Sequence, residues 1–438
     1  MMNWLRAVAL FTLLAISNSA YAAASPAETR MARYVTADRP YGEALLERLV
    51  NQNSGTLNSE GVRIVGQMMR TELEGLGFTV EWVDGTPFNR AGHIIATHVG
   101  NGRGKRVLMI GHLDTVFEAD SPFQTYSVAG NIATGPGVGD DKGGLVVIIG
   151  ILRAMRDAGT LANADIKVVL TGDEERMGSP VSLSRGDLVA AAQWADVALE
   201  YENLVRDATH DYGTIARRSS SNWQINIHSE SGHSSGIFSD GVGYGAIYEM
   251  SRILDSFRRE LREPNLTYNV SLVAGGTPAQ FDTTLERADG RGKTNIIPAD
   301  AVARGDLRSL TVEQDARVRA RMTEIVAAHL PGTSGEIVFD DGYPPMSPTP
   351  GNQALLDQLN IVNRDMRLAE MPALPPIRRG AADSGFAAPY VDTLGGLGPS
   401  ANGSHAVGET LELDTIPLMA LRSAVLISRL SRQPRPAS

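Results

Sequence analysis

Between residues 59 and 77 apolar side chains return every three or four positions, with Val62, Val65, Met68, Met69, Leu73 and Leu76 on one face and Gly75 and Gly77 closing the run. This spacing predicts an amphipathic helix, and a similar pattern covers residues 40–54. Short β-branched runs follow at 78–83, 93–97, 107–110, 166–170 and 197–199, each bounded by Gly, Asp or Asn, and each reads as a strand. Residues 144–155 are almost wholly apolar and long enough for a buried helix. Strand, helix, strand in this order predicts a largely parallel sheet covered on both faces.

The texture changes near residue 213. In SNWQINIHS, Trp223, Ile225 and Ile227 alternate strictly with polar residues, which predicts a strand with one wet face. TYNVSLV, residues 267–273, repeats the pattern with Tyr268, Val270 and Leu272, and an amphipathic helix is expected between them at about 242–261. Such alternation belongs to an antiparallel sheet with helices on one side, so residues 213–311 are expected to form an inserted α+β domain. Helical spacing resumes at 312–329 and 352–368, while YPPMSPTP and MPALPPI read as loops. The predicted architecture is α/β and two-domain: a mostly parallel sheet flanked by helices, from residues 24–212 and 312–438, interrupted by the inserted domain.

Composition narrows the function classes. The chain has 438 residues, 42% hydrophobic and 21% charged, a globular balance with ample material for a large core. Its first 23 residues resemble a secretory signal: Arg6, the apolar run AVALFTLLAI, then Ala20-Tyr21-Ala22 as a cleavage site near Ala22 or Ala23. The run is short for about 30 Å of hydrocarbon, so the expectation is a secreted or periplasmic protein that leaves the membrane after cleavage. There is no cysteine, which excludes disulfides, thiolate metal ligands and a cysteine nucleophile. The net charge is -10, and removing Arg6 with the signal gives -10 - 1 = -11, a poor match to nucleic acid or anionic membrane.

The acidic residues gather where strands end. His112 and Asp114 follow one predicted strand, Glu174 and Glu175 another, and Glu202 a third, while Asp140 and Asp141 lie in the loop TGPGVGDDKGG and His405 in GPSANGSHAVGE. In open α/β sheets ligands collect beyond the carboxyl ends of the strands. Carboxylates crowded there repel one another unless cations lie among them. Oxygen and imidazole donors without sulfur point to Zn2+, Co2+ or Mn2+. Two histidines suffice for two ions if one carboxylate is shared across about 3.5–4 Å.

These motifs, His112-Leu-Asp114, Asp140-Asp141-Lys142-Gly143, Asp173-Glu174-Glu175, Glu202 and Gly403-Ser404-His405-Ala406-Val407-Gly408-Glu409, resemble in order those of the M20 metallopeptidases, closest to their glutamate-carboxypeptidase-like branch, over residues 40–430. The resemblance implies two zinc ions bridged by Asp140, with His112 and Glu202 on one and Glu175 and His405 on the other. It implies Glu174 as general base, Asp114 orienting His112, and often a cis peptide after the bridging aspartate. The inserted domain would serve as lid and homodimer contact, with His233, Asn295 and Arg308 reaching the substrate, a small peptide or N-acyl amino acid. An arginine fork suits a C-terminal carboxylate. The expected activity is therefore carboxypeptidase-like; an aminoacylase or dipeptidase, or a non-catalytic binding protein of the same fold, are the alternatives.

The chain departs from the family at Glu202-Asn203, where Glu-Pro is common. Glu200 lies two residues earlier on the same side of a strand, and motif spacing favours Glu202. The residues Ser234-Ser235-Gly236-Ile237-Phe238 replace the usual alanine and proline after His233. Taken singly, Asp140 could cap a turn, Glu174 and Glu175 could start a helix, His233 could cap the turn after it, and Arg308 could pair with Asp306 or Glu313. His93, His98, His210, His228 and His329 have no motif around them. GHSSG does not have the order of a serine nucleophile elbow, and Lys142 lacks P-loop spacing.

Overall fold

Six strands form the main sheet in the order Thr79–Asp84, Gly92–His98, Ile166–Thr171, Val107–His112, Val197–Glu200 and Thr393–Leu394. The computed structural model describes residues 24–283 and 285–435; the expected signal segment, residues 1–23, lies outside the described residues. Pairing is antiparallel on both sides of Gly92–His98 and parallel at the other three interfaces. Only that strand runs against the rest, so the sheet is mixed and mostly parallel. Its central strands are buried at nearly every position because helices cover both faces. Met109 and Val168 turn toward a core with the apolar helix Lys142–Asp157 and helix Thr415–Leu430. Leu108, Ile110 and Val169 turn the other way, against Leu188 and Ala192 of helix Gly186–Trp194.

A second sheet, of five strands, is antiparallel throughout. Its path is Thr267–Tyr268, Asp300–Arg308, Ser220–Ser229 and Thr333–Tyr343, with Leu272–Gly276 also on Asp300–Arg308. Trp223, Ile225 and Ile227 point inward as their alternation predicts and meet helices Ala246–Glu260 and Val312–Ala327. Trp223 packs edge-on against Phe257 with ring centroids 5.8 Å apart.

Two sequence expectations change here. Residues 267–273 are not one strand: Thr267 pairs with Arg308 but Leu272 with Arg304, which leaves one extra residue between the two ladders. That is a bulge, and the alternation breaks across it. The inserted unit also does not end at residue 311. Val318, Met322 and Ile325 of helix Val312–Ala327 join the second core, and Thr333–Tyr343 pairs along the length of Ser220–Ser229. A helical period shows that one face is buried and leaves open which sheet buries it. Among the described residues no helix is long and apolar enough to cross a membrane.

Candidate metal centre

The parallel strands deliver their chemistry at one end. His112 is the last residue of Val107–His112, Asp173-Glu174-Glu175 follow Ile166–Thr171, and Glu202 follows Val197–Glu200. Two Gly-rich turns close over this edge. One leads into helix Lys142–Asp157 and carries Asp140; the other, between Ala401–Asn402 and Thr410–Glu412, carries His405 at φ 65°. The Asp140–Asp141 peptide is cis. The first turn needs its glycines: Gly137 has φ 66°, and a Cβ on Gly139 would collide with the side chain of Ala401.

Asp140 lies between two histidines. Its Oδ1 is 3.0 Å from His112 Nε2 and its Oδ2 is 3.3 Å from His405 Nε2, which is itself 3.1 Å from Glu175 Oε2. Ligand atoms of His112, Asp140 and Glu175 all fall within 4.8 Å of one another, and so do those of His112, Glu174 and Glu202. Glu200 belongs to neither group. Its carboxylate accepts from Arg217 Nη2 and, at 3.2 Å, from the Ser384 N–H. The cluster opens on the His405 side, where that ring is 60% exposed against 1% for His112.

The ionisation of these groups shows the crowding. Burial first, then the negative charge of Glu202, pushes Glu174 well above the usual carboxylate range. Glu175 is raised by burial, and Glu202 by burial to about 7. Burial opposes charge on Asp140 too, but hydrogen bonds from His112 and His405 override it and hold this carboxyl low. His405 is raised to about 10 by its bonds to Asp140 and Glu175.

Supporting residues fix the geometry. His112 Nδ1 is 3.1 Å from the Asp114 backbone oxygen and 3.4 Å from its Oδ1, so both the main chain and the carboxylate of Asp114 face this side of the ring. The Asp114 carboxylate accepts from the Glu174 and Glu175 N–H groups at 2.9 and 3.1 Å and from Thr56 Oγ1 at 2.6 Å. It therefore holds both glutamates by their backbone. Further supports reach in from distant stretches: Glu409 closes the His405 motif, while Arg217, Tyr343 and Arg185 have no motif around them. Glu409 is buried and accepts from the N–H groups of Gly137, Gly139 and Asp140 at 3.0, 2.8 and 3.0 Å, tying the His405 turn to the Asp140 turn. Arg217 Nη2 donates to Glu202 Oε2 at 2.8 Å as well as to Glu200. The Tyr343 hydroxyl donates to the Glu174 backbone oxygen and accepts from Arg185 Nη2 at 3.1 Å. Arg185 is buried between Asp173 and Asp383.

The residues expected from the inserted domain make no hydrogen bond or ion pair with the cluster. His233 and Asn295 are neighbours, since Ser234 N donates to the Asn295 oxygen at 2.9 Å. His233 is exposed, and its Nδ1 accepts from the Ser235 N–H at 3.2 Å, the turn cap that its sequence also allows. Arg308 pairs with Asp306 at 3.0 Å. The remaining histidines have structural partners, such as His93 with the Ser184 oxygen at 2.8 Å and the Gly172 N–H at 3.1 Å.

Divalent cations fit this donor set. Both oxygens of Asp140 face imidazoles, Glu175 Oε1 and Asp141 Oδ1 are buried with no hydrogen-bond partner, and all donors are oxygen or nitrogen. An orphaned carboxylate oxygen among crowded acids is stabilised by a cation.

Carboxypeptidase G2 of Pseudomonas sp. (strain RS-16) is 27% identical over 403 residues, 90% of each chain. A solved tripeptidase from Staphylococcus aureus subsp. aureus Mu50 shares the fold with a TM-score of 0.69 at 17% identity, over 90% of this chain and 99% of that one. A dinuclear metal-binding M20 peptidase from Bacillus subtilis superposes with a TM-score of 0.61 at 15% identity, over 90% of this chain and 98% of that one. With residues 108–427 matching the profile of Peptidase family M20/M25/M40, the chain belongs to that family of metallohydrolases.

Proposed function

We propose that this protein hydrolyses peptide or amide bonds next to a free C-terminal carboxylate, as a two-metal carboxypeptidase. One observation carries the reading: Asp140 presents one oxygen to His112 and the other to His405, with Glu174, Glu175 and Glu202 closing the two groups. His112, Glu202 and Asp140 would hold one ion, and Asp140, Glu175 and His405 the other. Zinc, cobalt or manganese there would polarise the scissile carbonyl and make water acidic enough to react near neutral pH.

This chain's own side chains handle the proton and the orientation. Glu174 accepts a proton from the attacking water at its carboxylate and returns it to the departing nitrogen. Burial and neighbouring acids raise its pKa, which suits a group that must both take and give a proton. Asp114 and Tyr343 hold the Glu174 backbone on both sides, at its N–H and at its oxygen. His233, Asn295 and Arg308 contact the substrate after the second unit moves toward the cluster, or from a second copy of the chain in a homodimer formed through that unit. Export to the periplasm or beyond rests on the N-terminal segment.

Incubating the zinc-loaded protein with dipeptides and N-acyl amino acids, beside their C-terminal amides, tests the reading. Release of the C-terminal amino acid from the free acids and not from the amides is expected. Cleavage confined to the N-acyl amino acids would favour an aminoacylase, cleavage confined to dipeptides with a free amino group a dipeptidase, and no cleavage at all would leave a binding protein.

A further inference from the structure

Arg379 sits beside the cluster with one edge of its guanidinium making no hydrogen bond. Its side chain is 7% exposed. Nη1 donates to Asn203 Oδ1 at 2.8 Å, but Nε and Nη2 are buried with no hydrogen-bond partner. Those two atoms form one edge of the guanidinium, the planar fork that grips a carboxylate through two parallel bonds. The nearest acid, Glu202 Oε2, is 3.6 Å from Nη2 and is already held by Arg217 at 2.8 Å.

The fork is also fixed in place. Asn203, which stands where the family commonly has proline, holds Nη1 and donates from Nδ2 to Ser404 Oγ at 3.2 Å, beside His405. Arg217 Nη1 donates to the backbone oxygen of Gly380, next in the chain, at 3.2 Å. A buried guanidinium with an unsatisfied edge destabilises the fold unless something completes it. A simple counter-charge for the acids would not need a planar edge held in one orientation.

We infer that Arg379 is a substrate-binding residue whose open edge takes a carboxylate carried by the substrate. This rests on the hydrolase reading and deepens it, because it names the chemical class that the site selects. Access requires the Glu202 carboxylate to move off Arg379 toward His112 and Glu174, with which it already forms a metal-competent group. The carboxylate is either the C-terminal one of the leaving amino acid or one on the acyl side of the bond.

The test measures binding by calorimetry to the zinc-loaded full chain in a Glu174→Gln background, where turnover does not interfere. The probes are N-acetyl-leucine, with only a C-terminal carboxylate; N-succinyl-leucinamide, with only an acyl-side carboxylate; N-acetyl-leucinamide, with neither; and the alanine and phenylalanine equivalents. The inference expects one carboxylate series to bind about tenfold or more tighter than the neutral series, as one bidentate charge-assisted pair would give, and the favoured series identifies the source. Arg379→Gln should erase that preference at unchanged zinc content, and Arg379→Lys should keep only part of it. No preference in the parent, a preference that survives Arg379→Gln, or zinc lost with Arg379→Gln would each overturn the inference. The hydrolase reading fails separately, if the wild-type protein cleaves nothing in the turnover assay.

Discussion

The two sheets of this molecule solve burial differently, and the difference decides where chemistry collects. The mixed sheet is covered on both faces, so its free surface is the line of strand ends, and His112, Glu174, Glu175 and Glu202 meet there. The antiparallel sheet buries one face and leaves the other wet. Its candidate residues stay where their own neighbours hold them: His233 on Ser235 and Arg308 on Asp306. Convergence in the first unit follows from topology alone. The second unit reaches the cluster through Tyr343, the last residue of strand Thr333–Tyr343, which holds the Glu174 backbone oxygen.

The comparison can be broken most severely at Glu174. Glu174→Gln keeps the size and the Asp114 contact of the backbone but cannot take a proton, so turnover should fall by about 10^3-fold at unchanged zinc content; turnover near wild type would remove Glu174 as the base. In the other unit, Phe257→Ala opens a hole against Trp223 and should cost about 3–5 kcal/mol of stability, read by denaturant unfolding. Zinc affinity should survive it, and a matching loss of zinc would mean that the two units are not separable in this way.

A smaller effect should follow at Glu409. Glu409→Ala strips three N–H groups of the Asp140 turn of their acceptor, and zinc affinity should drop by about 10- to 100-fold, as for other residues that orient metal ligands. Titration calorimetry that finds both affinities unchanged would reduce Glu409 to a loop anchor.

The smallest predicted effect is on stability against pH, and its sign follows from burial. Glu202 and Glu409 are each raised to about 7 by burial, so above about pH 4.5 the folded chain keeps protons that the unfolded chain has lost. Stability of the zinc-free protein should then fall as pH rises from about 4.5 through 7. His405, raised to about 10 by Asp140 and Glu175, adds to that fall from about 6.5, until buried Lys142, lowered to about 7, offsets it at higher pH. Melting temperatures of the chelated protein should therefore decline from pH 5 to pH 8, and added zinc should restore them at pH 8. A flat or rising profile would mean that the acids are less crowded than their distances imply.

Much of this was legible in the sequence, for identifiable reasons. Helical and strand periods located the buried helix Lys142–Asp157 and the strands that carry the acids, because period reports burial directly. The motif order nominated the residues that meet at Asp140. What periodicity could not show is partnership across long separations. Arg185 meets Asp383 from 198 residues away with no local pattern to mark either, and Glu409, although it closes the His405 motif, has nothing in its spacing that shows its bond to the Asp140 N–H from 269 residues away. The boundary at residue 311 failed for the same reason, since Thr333–Tyr343 alternates like any half-buried strand and its partner Ser220–Ser229 lies far earlier in the chain. Arg379 was invisible because it sits in a Pro-rich loop, where composition predicts only a turn.

The central claim is that Asp140 is shared by two cations, and the most direct measurement is metal stoichiometry by elemental analysis of the wild type and Asp140→Asn after zinc saturation and desalting. The account predicts two zinc ions per wild-type chain and fewer than one in the variant, since each ion loses a ligand at once. No zinc in the wild type, or two retained without the Asp140 carboxylate, would contradict it.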